Sequence, residues 1–212
     1  MLPTVHLVRH GETAWSLSGQ HTSRTDIALT SRGEAQARQL GERLRGIEFS
    51  RIFTSPLQRA RHTCELAGFA DAMEKDTDLS EWHYGDYEGV TTIEIRKSFP
   101  DWNLFTHGCP GGESVQEITN RADRVVFKLR AMTGGILIFS HGHFLRVLAV
   151  RWIGWPAAEG RCLRLNTASI SVLGWEHNDP DEPALAEWNT SLKDGSSCGD
   201  HLGSLGHNPP CK

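Results

Sequence analysis

Two stretches of this sequence end in the same way. Leu7-Val8-Arg9-His10-Gly11 and Phe139-Ser140-His141-Gly142 each pass from apolar residues into a histidine followed by glycine. A neutral imidazole is a nucleophile, a proton carrier or a metal ligand at pH 7. Arg9 stands beside the first histidine. Arg59 follows Ser55-Pro56-Leu57-Gln58, just after another apolar stretch stops. Two arginines and two histidines brought together make an anion site. Tetrahedral phosphate suits it, because guanidinium groups offer paired N–H donors to its oxygens. A neutral histidine at such a site can attack phosphorus and hold the phosphoryl group covalently. The set then lacks a proton donor for the leaving group. Glu81, opening the aromatic loop Glu81-Trp82-His83-Tyr84-Gly85-Asp86-Tyr87-Glu88-Gly89, is the best-placed carboxyl group. Arginines supply the positive charge and no zinc-like ligand spacing is evident, so neither metal nor cofactor is expected.

These residues converge only if particular elements carry them. Val5 to Val8 reads as a short strand and Gly135 to Ser140 as a continuous apolar, fully buried one. Arg51 to Thr54 is a third strand. Leu79 leads into the loop of Glu81, which follows a further strand. In a parallel sheet all such ends lie at one edge, where open α/β folds bind ligands. Ser31 and Glu34 have capping-box spacing before a helical face of Ala37, Leu40, Leu44 and Ile47. Ser55, Pro56 and Gln58 read as cap, first position and box of a second helix, with Arg59 in its first turn. Thr91 with Glu94 and Ser114 with Glu117 cap two more, the latter carrying Val115, Ile118, Ala122, Val125, Val126, Leu129 and Met132 on one face. Another helix runs from His141-Gly142 to Trp152. Strands over 168–175 and 184–188 complete the chain, while 14–27 is a polar loop. Strands alternating with helices predict an α/β fold: a mostly parallel central sheet in a three-layer α/β/α sandwich.

With 212 residues, 38% hydrophobic and 23% charged, the chain fits one globular domain, placed at 1–189. Residues 190–212 are rich in Gly and Ser and read as a mobile tail. Cys198, Asp200, His201, His207 and Cys211 there match no standard metal pattern. A net charge of −4 gives no electrostatic footprint for nucleic acid. No secretory signal and no run of about 18 apolar residues is visible, so a membrane is not an expected partner. The five cysteines are odd in number and lack a C-x-x-C pair, which reads as reduced thiols and a cytoplasmic location. A homo-oligomer is compatible with the sequence.

Four segments, in this order, carry a resemblance: LVRHGET at Leu7–Thr13, TSPLQRARHT at Thr54–Thr63, EWHYGDYEG at Glu81–Gly89 and SHG at Ser140–Gly142. Together they resemble the histidine phosphatase superfamily, the phosphoglycerate mutase-like fold. The resemblance implies a phosphohistidine mechanism. His10 would be the nucleophile, Arg9, Arg59 and His141 would bind the phosphoryl group, and Glu81 would protonate the leaving alkoxide and then activate water. A narrower resemblance, to the branch containing sedoheptulose 1,7-bisphosphatase, rests on Trp15 to Thr22, Glu81 to Gly89, Gly108-Cys109, His141 to Arg146 and Asp181 to Leu185. It implies a small sugar phosphate or bisphosphate as substrate, with Ser16, Thr22, Ser23, Tyr84, Gly142 and His143 lining the pocket. Arg24 is then the candidate for a second anion-binding cation, and Arg146 is expected to pair within the domain.

Two other function classes are weighed against a phosphatase. A bisphosphoglycerate-dependent mutase would share the segments around His10 and Glu81. Between Gly89 and Glu113, however, the sequence offers only Arg96 and Lys97 and no adjacent arginine pair to grip a substrate carboxylate. A non-catalytic phosphate-binding module would be expected to have lost His10, Arg59 or Glu81. Taken singly each residue has a structural reading. His10 fits a satisfied buried histidine and Arg59 a helix-surface cation, while the tryptophans fit core or pocket wall. Their joint occurrence favours hydrolysis.

Overall fold

The computed structural model of the protein describes residues 1–191. The predicted tail beyond Ser191, with Cys198, Asp200, His201, His207 and Cys211, lies outside the described residues. Within them one sheet runs β3-β2-β4-β1-β5-β6, from β1 (Thr4–Arg9), β2 (Arg51–Thr54), β3 (Met73–Lys75), β4 (Gly135–Ser140), β5 (Ile170–Trp175) and β6 (Pro183–Thr190). The first four are mutually parallel; β5 and β6 are antiparallel additions at one edge.

The central strand shows why the sheet is covered on both sides. Ile136 and Ile138 of β4 pack into one core cluster, with residues of α6 (Val115–Arg130) and α7 (Gly142–Trp152). Leu137 and Phe139 pack into the other, with residues of α2 (Ser31–Leu44) and α3 (Gln58–Cys64). Alternate side chains point to opposite faces, so a strand buried on both reads as an unbroken apolar run. This is the expected three-layer α/β/α sandwich. Phe139 has no exposed surface, and its replacement by alanine removes about 3–5 kcal/mol of core packing.

Local details depart from the sequence expectations. The N-cap of α2 is Thr30, whose side chain accepts from Gly33 N–H, so Ser31 is the first helical residue rather than the cap. Ile47 lies past the helix end and is 40% exposed. The cap of α3 is Leu57, whose aliphatic side chain accepts no bond; Ser55 Oγ accepts from Leu57 N–H instead, ahead of the helix. The boxes at Thr91/Glu94, opening α4 (Thr92–Ser98), and at Ser114/Glu117, opening α6, form as expected. The polar loop contains α1 (Ala14–Ser18), a helix whose residues are all at least partly exposed, so no apolar stripe announced it. Leu79 ends a 3-10 turn (Thr77–Leu79), set by the Asp76 side chain accepting from Asp78 N–H; the strand before Glu81 is β3. Strand β5 starts at Ile170 because Ala168 is left-handed, with φ of 52°. Strand β6 runs to Thr190, held by Arg43, so the ordered fold passes the predicted boundary at 189. Trp155, expected in the core or a pocket wall, is 56% exposed. Cys64 and Cys109 are free thiols, but Cys162 is disulfide-bonded, so the expectation of reduced cysteines fails there; an odd count does not exclude a bridge. No described helix is long and apolar enough to cross a membrane.

Candidate active site

Parallel pairing brings the chemistry together. Arg9 is in register with Ser140 and Thr54 with Phe139, so β1, β2 and β4 end side by side. His10 and His141 follow directly, with ring centroids 5.2 Å apart. Arg59 enters from the first turn of α3 and is 1% exposed. Its terminal nitrogens donate to the carbonyls of Thr22, Ser23 and Thr25, which fixes the guanidinium from behind. Arg9 is held by the Leu165 carbonyl and lies against Gly142; a Cβ there would come within 3.1 Å of its Cζ.

The tautomer of His10 follows from its partner. Its Nδ1 lies 2.7 Å from the Gly11 carbonyl, an acceptor only, so Nδ1 carries the proton and Nε2 keeps a free lone pair. Burial, then the charges of Arg59 and Arg9, hold its pKa well below the ordinary histidine value. His10 is therefore neutral and nucleophilic at pH 7. His141 is fully buried, and its pKa is likewise pushed well below the ordinary value by burial, Arg59, His10 and Arg9. Its Nε2 is 2.8 Å from Ser55 Oγ, which already accepts from Leu57 N–H. The Ser55 hydroxyl can give its proton to Nε2 or accept one from it, and Nδ1 of His141 faces no protein partner.

Three buried nitrogens in this cluster, Arg9 Nε, Arg59 Nε and His141 Nδ1, have no hydrogen-bond partner among the described residues. Each unpaired donor costs about 1–3 kcal/mol. Converging donors of this kind match a group that only accepts, such as a phosphoryl group.

Glu81 lies across the cavity, 8% exposed. Its Oε1 accepts from Trp82 N–H at 2.9 Å and Phe144 N–H at 2.8 Å, and its Oε2 from His143 N–H at 3.1 Å. The carboxylate thus sits on the N-terminal turn of α7, where the helix dipole favours it. Its charge raises the pKa of both Arg9 and Arg59 against the lowering effect of burial, which places all three groups in one electrostatic unit.

A cavity of about 220 Å³ opens above this floor. Ser16, Thr22, Tyr84, Gly142 and His143 line it, together with Arg9, His10 and Glu81. Ser23 does not. Glu88 captures it, accepting from Ser23 N–H and Thr25 N–H with Oε1 and from Ser23 Oγ with Oε2, so this serine is a strut beneath the loop. Arg24 and His83 face a different cavity, on the other side of Glu81. Of the lining residues, Ser16 spends its hydroxyl in a reciprocal cap with Thr13.

Sequence reasoning missed four contributors. Ser55 bonds Nε2 of His141. His21 and Arg146 line the cavity, and Arg121 lies behind Glu81. His21 is 7% exposed, its centroid 4.7 Å from Tyr84 and 5.9 Å from His143, and burial lowers its pKa to about 4. Nothing in its surrounding polar loop marks it. Arg146 does pair within the domain, donating to the Gly160 and Arg161 carbonyls, and it also stacks on Phe105 and faces the cavity. The helical spacing Gly142, His143, Arg146 was the available signal. Among the described residues no cluster of three or more His, Cys, Asp or Glu is arranged to hold a metal.

Comparison with known proteins agrees with this geometry. The family model described as "Histidine phosphatase superfamily (branch 1)" matches residues 5–191. An acid phosphatase of Mycobacterium tuberculosis is 46% identical over 175 residues, covering 81% of this chain and 86% of the relative. The sedoheptulose 1,7-bisphosphatase of Saccharomyces cerevisiae is 33% identical over 249 residues, covering 87% and 92%. The solved structure of a Mycobacterium tuberculosis open reading frame product superposes with a TM-score of 0.83 at 42% identity, covering 89% of this chain and 97% of that one. This chain belongs to the histidine phosphatase superfamily, branch 1, as a phosphoric monoester hydrolase.

Proposed function

We propose that the enzyme hydrolyses a small phosphomonoester carrying a second anionic group, a sugar bisphosphate being the simplest case, through a phosphohistidine on His10 and without a metal. The observation that carries the chemistry is the neutral His10 with Nε2 free, beside three buried unpaired nitrogens. Arg9, Arg59 and His141 take the nonbridging oxygens. Nε2 of His10 attacks phosphorus as the bond to the substrate oxygen breaks. Glu81, protonated once the phosphoryl dianion is bound beside it, gives its proton to the departing alkoxide. Glu81 then takes a proton from water, which attacks phosphorus from the side the alcohol vacated. The P–N bond breaks, inorganic phosphate leaves and His10 returns neutral. Positive charge from the two guanidinium groups meets the transition-state charge on phosphorus.

The second anionic group is inferred from Arg146 on the cavity wall, with Tyr84 and His143 joined by a 2.6 Å hydrogen bond beside it. This assigns the distal cation to Arg146 rather than to Arg24. The relatives named for a bisphosphate and for a phosphatase support the same class. Mutase chemistry gains no support from the wall: Arg96 and Lys97 are exposed on α4 and line no part of the cavity. The test is a phosphate-release screen over sugar monophosphates, bisphosphates and phosphoglycerates, with and without EDTA. Bisphosphates turning over best, with EDTA harmless, is the expected outcome. Loss of activity in EDTA, or phosphoglycerate interconversion outpacing phosphate release, would overturn it.

A further inference from the structure

The loop that presents Glu81 is gripped by a single buried arginine that the mechanism above does not use. Arg121, on α6, is 9% exposed. Its Nη1 donates to the carbonyls of Asp78 and Ser80, both at 2.7 Å. Its Nη2 donates to the Glu81 carbonyl at 3.3 Å and to Glu113 Oε2 at 2.7 Å, and its Nε to Glu113 Oε1 at 2.8 Å. A guanidinium has five N–H donors, and these contacts use all of them. The carbonyl between, that of Leu79, is taken by Ser140 Oγ at 2.7 Å, one residue before His141. Four successive carbonyls, 78 to 81, are therefore fixed.

Glu113 extends the grip past the acid. Beyond its bidentate pair with Arg121, it accepts from His83 N–H at Oε2, its own N–H donates to the His83 carbonyl, and its carbonyl accepts from Trp82 Nε1 at 2.7 Å. The Arg121 guanidinium also lies 4.5 Å from the centroid of Phe144, whose N–H holds Glu81 Oε1. One cation thus touches both the backbone that carries the Glu81 side chain and the residue that anchors its carboxylate.

We infer that the Arg121–Glu113 pair is a positioning device for proton transfer by Glu81, setting where the carboxyl oxygen meets the leaving group. A lysine at 121 would keep the charge but not the fork that spans three carbonyls and a carboxylate. A small displacement of an acid costs rate where the leaving group needs the proton and little where it does not. The inference rests on Glu81 as general acid, and the experiment separates the two.

The measurement is kcat and KM for wild type, Arg121→Lys, Glu113→Gln and Glu81→Gln, on p-nitrophenyl phosphate and on an alkyl phosphate such as glycerol phosphate. Melting temperatures are recorded alongside. In Arg121→Lys, kcat on the alkyl phosphate should fall on the order of tenfold more than on p-nitrophenyl phosphate, part of the roughly 10²- to 10⁴-fold that a general acid supplies. KM should change little, and Glu113→Gln should show the same split more weakly. In the Glu81→Gln background, Arg121→Lys should add no further split. An equal fall on both substrates in Arg121→Lys and Glu113→Gln, with the split intact in Glu81→Gln, would reduce the pair to a stabilising ion pair and overturn the inference. Absence of the split in Glu81→Gln itself would instead remove the general-acid reading. Should Arg121→Lys fail to fold, Glu113→Gln, which keeps the arginine and its carbonyl bonds, decides alone.

Discussion

The two ends of the cavity are built in opposite ways. At the floor, Arg9, His10, Arg59 and His141 stand at the ends of β1 and β4 and in the first turn of α3. Backbone pairing sets their spacing, and carbonyls hold the guanidinium groups from behind. At the far wall, His21, Tyr84 and His143 come from a loop, a turn and a helix and meet one another rather than a common backbone edge, while Arg146 is held by the Gly160 and Arg161 carbonyls beside them. The floor is a scaffold position that any chain with this sheet reproduces. The wall is a side-chain assembly, so its chemistry changes with single substitutions while the floor stays intact. In the proposed function a phosphoryl group would meet the first and the rest of the substrate the second.

That contrast fails or survives by experiment. The largest effect belongs to the floor: His10→Ala should abolish both turnover and formation of an acid-labile phosphoenzyme on rapid quenching, and retention of either would displace His10 as nucleophile. Arg59→Ala comes next, with kcat lower by about 10²–10³-fold on every substrate, the range typical of losing one charge-stabilising donor. A loss confined to some substrates would make Arg59 part of the wall. Arg146→Ala should divide substrates instead. Removing a charge-assisted hydrogen bond worth about 1.5–3 kcal/mol lowers kcat/KM on a bisphosphate by about 10- to 150-fold, and much less on p-nitrophenyl phosphate. Equal losses on both would dissolve the distinction between wall and floor.

The smallest effect is on stability at acid pH. Burial holds the folded pKa of His21 at about 4 against an ordinary 6.5. Between those values the unfolded chain binds a proton that the folded protein refuses, so stability must fall as pH drops from 6.5 toward 4. At about 1.4 kcal/mol per pH unit that gap makes the His21 contribution at most roughly 3–4 kcal/mol. His10, His141 and His143, also lowered by burial, act in the same direction. Denaturant melts across this window should be steeper in pH for wild type than for His21→Phe; parallel slopes would mean that His21 titrates normally.

The floor was legible because its residues are tied to elements that a sequence announces. An apolar strand run ending in His-Gly gives both the element and its tip, and a parallel sheet puts tips at one edge. Glu81 could be named as the carboxyl but not oriented, since its three N–H partners belong to Trp82 and to α7, 62 and 63 residues further on. His21 and Ser55 could not be found at all. One sits in a polar loop without periodicity, and the other was assigned to a helix cap because serine before proline suits one. Arg121 drew no attention within an amphipathic helix, because only the folded path of the 78–83 loop gives it partners. Ser23 was placed in the pocket by the narrower family resemblance, whereas a half-buried carboxylate, Glu88, had a stronger claim on it.

Gly11 and Gly33 meet backbone to backbone: a Cβ on Gly11 would lie 2.4 Å from the Gly33 carbonyl oxygen, and one on Gly33 would lie 2.1 Å from the Glu12 carbonyl oxygen. The carbonyl that fixes the His10 proton on Nδ1 is that of Gly11. The choice of reactive nitrogen is thus governed by how closely helix α2 can sit against the first strand's exit. Adding one methyl group at either glycine would wedge the helix away and loosen the Gly11 peptide that holds the imidazole through Nδ1. The two missing side chains work as a spacer of zero thickness, and the setting of the His10 ring depends on its staying that thin.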